Sequence, residues 1–387
     1  MLKMKILTAM YTLRKGGAYD RFLMMVEAFL DRKCEVHCLS LTPIKMKHPC
    51  YYNHRLGLSF GRTGGWVAKF LVVFLFPLYS LLIGWREKID FVVAFGSIYA
   101  FLLAIPKWIL RRRMVTFIRG NSTFGLMVHR SSGFFLSINR MMEYLGFLFS
   151  DRILTNNGET QNEILRAVGK RKHVDVGLLY NNIPPMPKME REDANQIRSR
   201  FRIPIGAKVL MTAGILNRGK NVEMLIKCLP RIGMDNLFLF IIGDGSSKED
   251  FVYINHLREL TRRLDLDHRV IFTGWLGKEE LWKIYLAADL FVLPSKSEGM
   301  PNAILEALGL GLPCIGSRIP GIIDVLRHEE LLFDPLDEET LVTKLGRLLS
   351  DAQYLNDITG LCLERKETFL FDWKEKMYLL ATKGILS

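Results

Sequence analysis

Two glutamates eight residues apart, Glu298 and Glu306, lie in the segment PSKSEGMPNAILEALGLGLP, from Pro294 to Pro313. The apolar run LFVLP before it reads as a buried strand, and the polar loop that follows carries Glu298 and Gly299. A helix is expected to start with Pro301 in its first turn, where a missing N–H costs nothing. The amides of Met300, Asn302 and Ala303 then face the loop, and a helix N-terminus of this kind binds phosphate through its dipole and its unpaired N–H groups. Along a continuous helix, eight residues span roughly 12 Å, about the distance from a hexose ring to a ribose across a diphosphate. One carboxylate could hold sugar hydroxyls and the other ribose hydroxyls, with phosphates between them. Taken alone, the same pair reads more readily as a capping acid and an exposed helical glutamate.

Other residues with chemistry to offer stand just after apolar runs. The pair Gly16-Gly17 follows the first run and precedes a helical segment, so its backbone could approach a donor phosphate or an acceptor with no side chain in the way. Arg14 and Lys15 beside it favour an anionic neighbour. The pair Asp265 and Asp267 has the spacing of a divalent-metal motif, but it falls between the helical segment RELTRRL and the run VIFTG and reads as a connector. No HExxH, no GxxxxGKS and no clustered Cys or His ligands appear, so neither a metal nor a cofactor is expected.

The elements that must position these residues follow from hydrophobic periodicity. Short apolar runs alternate with longer segments of helical period, the pattern of a parallel sheet wound on both faces by helices. The pattern occurs twice. Expected strands are Met4 to Tyr11, Val36 to Leu41, Phe91 to Phe95, Met114 to Ile118 and Ile153 to Thr155, then Lys208 to Ala213, Leu237 to Ile242, Val270 to Thr273, Leu290 to Leu293 and Pro313 to Gly316. Helices are expected from Tyr19 to Asp31 and Phe134 to Phe149. The stretch NNIPPMPKMERED, Asn181 to Asp193, reads as an exposed connector. An α/β fold of two Rossmann-like doubly wound domains is therefore expected, at 1–183 and 184–369. Phe371, Trp373, Met377 and Leu380 mark an amphipathic helix at about 370–387, which resembles the closing helix that returns from a second domain to pack on the first.

The chain has 387 residues, 49% of them hydrophobic, and a formal net charge of +13. Up to residue 184 there are 26 Lys and Arg against 11 Asp and Glu, so the whole basic excess is N-terminal. Such a field suits a polyanion, an anionic membrane surface or a phosphate-bearing substrate. Aromatic residues of this half sit mainly inside apolar runs, which argues against stacking on nucleic acid. The six cysteines lack metal or disulfide-scaffold spacing and read as reduced cytosolic thiols. The run Val67 to Trp85 admits three readings: a membrane span, a buried helix, or a helix dipping into one leaflet.

The glutamate pair does not stand alone. Glu298 to Glu306 with Gly299, Pro301 and Asn302, followed by Glu306-Ala307-Leu308, Gly311-Leu312-Pro313 and Pro320-Gly321, resembles the EX7E signature of the GT-B glycosyltransferases of family 4. Gly16-Gly17, Lys220 in AGILNRGKN, Gly243-Asp244-Gly245 and Phe272-Thr273-Gly274 occur in the family's order, weakly matched before residue 180 and strongly from Ala213 to Asp334.

The resemblance implies the GT-B arrangement, two domains facing across a cleft, and a retaining transferase that moves a sugar from a nucleotide diphosphate, most commonly UDP, to an acceptor. It places Glu298 on the transferred sugar, Glu306 on the ribose and Lys220 on the diphosphate, with Gly214 and Gly245 in donor loops. The family's arginine after Gly214 is replaced here by Ile215, and Arg218 is the candidate for that second cation. Where the family often has a histidine after the strand VTFIRGN, this chain offers Arg119 and Asn121 on the acceptor side; His129 reads as a surface residue. A lipid-linked or glycan acceptor at the inner face of the plasma membrane follows from the basic, apolar first half. A GT-B epimerase-like enzyme and a non-catalytic partner subunit are the alternatives.

Overall fold

The apolar runs become strands of two all-parallel sheets. The computed structural model describes residues 4–10, 17–41, 44, 46–56, 66–119, 133–169, 174–187 and 189–384. They form two units, Met1–Tyr180 with Asp372–Ser387, and Asn181–Phe371.

The first unit holds β1 (Lys5–Met10), β2 (Glu35–Ser40), β3 (Tyr51–Arg55), β4 (Phe91–Phe95), β5 (Arg113–Ile118), β6 (Arg152–Thr155) and β7 (Asp175–Leu178), ordered β3-β2-β1-β4-β5-β6-β7. β1, β2, β4 and β5 are buried almost throughout, as continuous apolar runs flanked by helices should be. β3 and β7 were not expected, because these edge strands are only part-buried and carry no apolar run. The closing helix Trp373–Thr382 belongs to this unit. Lys374 bonds Glu27 and Asp31 of helix Gly17–Leu30 at 2.8 and 3.1 Å. Arg152 donates to the carbonyls of Leu380 and Lys383 at 2.6 and 2.9 Å, satisfying the helix C-terminus with a cation.

The second unit holds β8 (Lys208–Ala213), β9 (Leu237–Ile242), β10 (Val270–Gly274), β11 (Leu290–Leu293), β12 (Cys314–Ser317) and β13 (Leu332–Phe333), ordered β10-β9-β8-β11-β12-β13. The order reverses between β8 and β11, so the loops leaving these two neighbours face each other at the carboxyl edge, where doubly wound sheets bind ligands.

The stretch read as an exposed connector is not one at its start. Asn181, Asn182 and Ile183 are buried, and the Ile183 amide donates to the Phe369 carbonyl at 3.0 Å. Their polar groups are taken up by tertiary bonds that local composition cannot signal. Helix Arg191–Arg200 also begins inside that stretch.

Helix Trp66–Arg86 contains Pro77. Among the described residues no helix is long and apolar enough to cross a membrane. Within residues 74–86 the helix is not wholly buried either: Phe76, Ser80 and Ile83 face the core while Phe74, Leu78, Leu82 and Trp85 are exposed.

Candidate functional site

Three strand ends of the second unit are stitched together by glycines. Gly214 follows β8 at φ +151 and donates to the Ile242 carbonyl at 3.0 Å; Gly243 follows β9 at φ +120 and donates to the Gly274 carbonyl at 2.9 Å. A Cβ on Gly243 would lie 1.8 Å from the Gly214 carbonyl oxygen, which no side chain permits. These contacts bring the loop after β8 back over the sheet edge. Gly245 packs against the first turn of helix Lys248–Arg263, a Cβ there falling 2.9 Å from Asp250 Cβ. The Asp250 carboxylate already accepts from the Ser246 and Ser247 amides, each at 2.9 Å, so this loop is fixed by its own helix.

Lys220 ends a short 3-10 turn, Arg218–Lys220, in the loop after β8. The loop after β11 is tied to it by a 2.7 Å bond from the Lys296 amide to the Gly219 carbonyl. This tie places the Lys220 ammonium on the Glu298 carboxylate, in an ion pair whose side chains are 21% and 11% exposed. The buried Ser295 hydroxyl donates to the same Glu298 oxygen at 2.7 Å. Gly321 closes up beneath: a Cβ there would lie 2.4 Å from the Glu298 carbonyl oxygen, so the helix Pro320–Leu326 supports the loop by backbone contact.

The helix after the loop runs Asn302–Gly309, with Pro301 as its extended cap residue rather than inside the first turn. Its first amides, including those of Asn302 and Ala303, have no partner within the helix. Asn181 braces this terminus, its side-chain amide donating to Asn302 Oδ1 at 2.7 Å and its backbone N–H to Met300 Sδ at 3.0 Å. Glu306 stands on the next turn, half-buried, and accepts from the Tyr285 hydroxyl at 3.3 Å. The same hydroxyl reaches the Ala303 carbonyl at 3.1 Å. Burial, then the Glu306 charge, push Tyr285 well above the ordinary phenol range, so it stays a donor to Glu306.

Arg218 shares the turn of Lys220 but is exposed, with its guanidinium over the Tyr253 ring at 5.9 Å. In the first unit Gly17 opens helix Gly17–Leu30, and Arg119 follows β5, its guanidinium 5.9 Å from the Trp373 ring centre. Arg21 lies over the same ring at 5.4 Å. Burial, then the Arg21 charge, lower the Arg119 pKa well below the usual guanidinium range. Arg14, Lys15, Gly16, Asn121 and His129 lie outside the described residues. Asp265 and Asp267 are exposed at the opposite, amino edge of the sheet, on the turn before β10. Among the described residues no three His, Cys, Asp or Glu side chains gather as a metal site.

Sequence reasoning missed Ser295, Tyr285 and Asn181. Ser295 had a signal, standing three residues before Glu298; Tyr285 and Asn181 reach the site only through the fold. The result is a cation and a carboxylate held together at a helix N-terminus, with a second carboxylate one helical stretch away. Such a constellation can take a diphosphate between two sets of hydroxyls.

Comparison with known proteins bears on the fold and on the second unit. Residues 207–351 match the family described as glycosyl transferases group 1. An uncharacterized glycosyltransferase of Methanocaldococcus jannaschii is 27% identical over 54% of this chain and 54% of its own. The lipopolysaccharide core biosynthesis glycosyltransferase LpsD of Rhizobium meliloti is 28% identical over 54% of this chain and 57% of its own. The chain thus spans about half the length of these curated relatives. The crystal structure of HepE from Anabaena in complex with UDP and glucose superposes with a TM-score of 0.77 at 19% identity, over 98% of this chain and 100% of that one. The chain has the GT-B fold, and the match to group 1 glycosyl transferases falls within its second unit.

Proposed function

We propose that this group 1 glycosyl transferase domain binds a nucleotide diphosphate sugar, UDP-linked, and that the chain moves the sugar to a lipid-linked or glycan acceptor with retention of configuration. The Lys220–Glu298 pair at the start of helix Asn302–Gly309 carries this reading. In it, the helix amides and Lys220 take the diphosphate, Glu306 takes the ribose hydroxyls and Glu298 the transferred sugar. The nucleotide leaves with more negative charge than it brought, so a fixed cation stabilises the transition state more than the ground state. The departing diphosphate itself accepts the proton of the incoming hydroxyl. No metal or cofactor is required in this scheme. The acceptor falls to the first unit, with Gly17 and Arg119 at the carboxyl edge of its sheet, and the reaction to the inner face of the plasma membrane. The names of the LpsD relative and of the HepE complex with UDP and glucose support the substrate classes.

Thermal-shift screening of nucleotide sugars, followed by donor hydrolysis with the best hit, tests the reading. Stabilisation by one nucleotide series and hydrolysis abolished in Glu298→Ala are expected. Full-rate hydrolysis in that variant would overturn the site assignment. Ile215 in place of the family's arginine favours a second reading, a non-catalytic partner subunit, which predicts nucleotide binding without any turnover.

A further inference from the structure

The first unit carries an exposed apolar face. On helix Trp66–Arg86, Phe74, Leu78, Leu82 and Trp85 recur at helical spacing and are 55%, 58%, 54% and 73% exposed. Helix Ala104–Ile109 repeats the arrangement with Ile105, Trp108 and Ile109 at 41%, 67% and 62%. The two helices meet where Gly84 passes Leu110, a Cβ on Gly84 falling 2.5 Å from Leu110 Cδ1. Trp85 and Ile109 are the sequence neighbours of these two residues, which puts the ends of the two stripes near that contact. Seven large apolar side chains on two packed helices exceed the scattered exposure of an ordinary surface.

Cations outnumber carboxylates at this end, four to two. Arg86, Lys88 and Arg111 are exposed and Arg112 is half-buried where the helices finish. Glu87 is matched by Arg86 at 3.4 Å, and Asp90 accepts from the Lys5 backbone N–H at 2.9 Å. Arg113, by contrast, turns to the Gly384 carbonyl of the same unit, so the run Arg111-Arg112-Arg113 does not act as one outward cluster. Two indoles bordering an apolar stripe, with cations beside them, match the layering of a bilayer interface: acyl chains, then the boundary zone, then anionic headgroups.

We propose that this face seats the protein on an anionic lipid surface, with helices Trp66–Arg86 and Ala104–Ile109 lying in the interface and Arg86, Lys88 and Arg111 on the headgroups. A second copy is the poorer occupant, since a twofold contact would set these cations against their own images. The inference does not depend on the transfer reaction.

Flotation of the full chain with phosphatidylcholine vesicles, with and without phosphatidylglycerol, is the test. Binding is expected only with phosphatidylglycerol and should weaken with salt. Arg86→Gln/Lys88→Asn/Arg111→Asn should lower partitioning roughly a hundredfold. Asparagine suits positions 88 and 111, whose φ values of 55 and 52 are left-handed. Trp85→Ser/Trp108→Ser should lower it roughly tenfold or more. Both variants are expected to keep the thermal shift given by nucleotide sugar without vesicles, which separates this result from the donor reading. Equal binding to both vesicle types, wild-type binding by either variant, or a lipid-free dimer abolished by the tryptophan changes would overturn the proposal.

Discussion

In the free protein Lys220 is spent on Glu298, and this gives the two residues opposite effects on nucleotide binding. A nucleoside diphosphate must share the ammonium with a carboxylate that is only 11% exposed and repels the incoming phosphates. Glu298→Gln removes that charge but keeps a hydrogen-bonding group for the Ser295 hydroxyl, which donates at 2.7 Å. Relief of the competition is worth on the order of 1 kcal/mol, so UDP alone should bind roughly fivefold tighter. Donor hydrolysis by the same variant should fall at least a hundredfold, because in the proposed scheme the contact it loses acts on the sugar during transfer. Lys220→Met removes a charge-assisted bond worth about 1.5–3 kcal/mol and should weaken UDP roughly ten- to a hundredfold. Calorimetric titration of UDP at fixed ionic strength measures both variants, with apo thermal unfolding as the check on folding. If Glu298→Gln weakened UDP tenfold, as Lys220→Met should, the carboxylate would be holding the nucleotide and the reasoning would fail.

Glu306→Ala should weaken nucleotide binding about tenfold while leaving turnover at saturation near wild type, and Tyr285→Phe should give a smaller loss of about 0.5–1.5 kcal/mol by releasing the 3.3 Å bond; a fall in kcat alone would contradict the ribose role. Transfer and hydrolysis should survive excess EDTA, and activity lost there and restored by Mg²⁺ or Mn²⁺ would refute the metal-free scheme. His37 faces His54, Nδ1 to Nε2, at 3.0 Å, and burial, then His54, lower it from 6.5 to about 4. The unfolded chain therefore takes up this proton first, so stability is full above about pH 6.5 and falls as pH drops toward 4, by about 1.4 kcal/mol per unit of that gap. The pH dependence of Tm should flatten in His37→Gln, and an unchanged slope would show that another group carries it.

The alternation of apolar runs with helical segments was enough to determine two parallel sheets, because strands buried on both faces must be continuously apolar. Gly214, Gly243 and Gly245 were legible as loop residues, and the Glu298 and Glu306 spacing as two ends of one short segment, since these are local relations along the chain. Tertiary structure decided the rest. Lys220 and Glu298 are 78 residues apart and meet because β8 and β11 are neighbours at the point where strand order reverses. Tyr285 and Asn181 serve the site from other elements, and Asn181 does so from a stretch whose composition read as exposed connector. Edge strands β3 and β7 carried no apolar pattern to find. Helix Trp66–Arg86 is apolar on every side, so its sequence holds no period that separates a buried stripe from an exposed one. Only the packing of Phe76 and Ile83 into the core, with Leu78, Leu82 and Trp85 left outside, made that distinction.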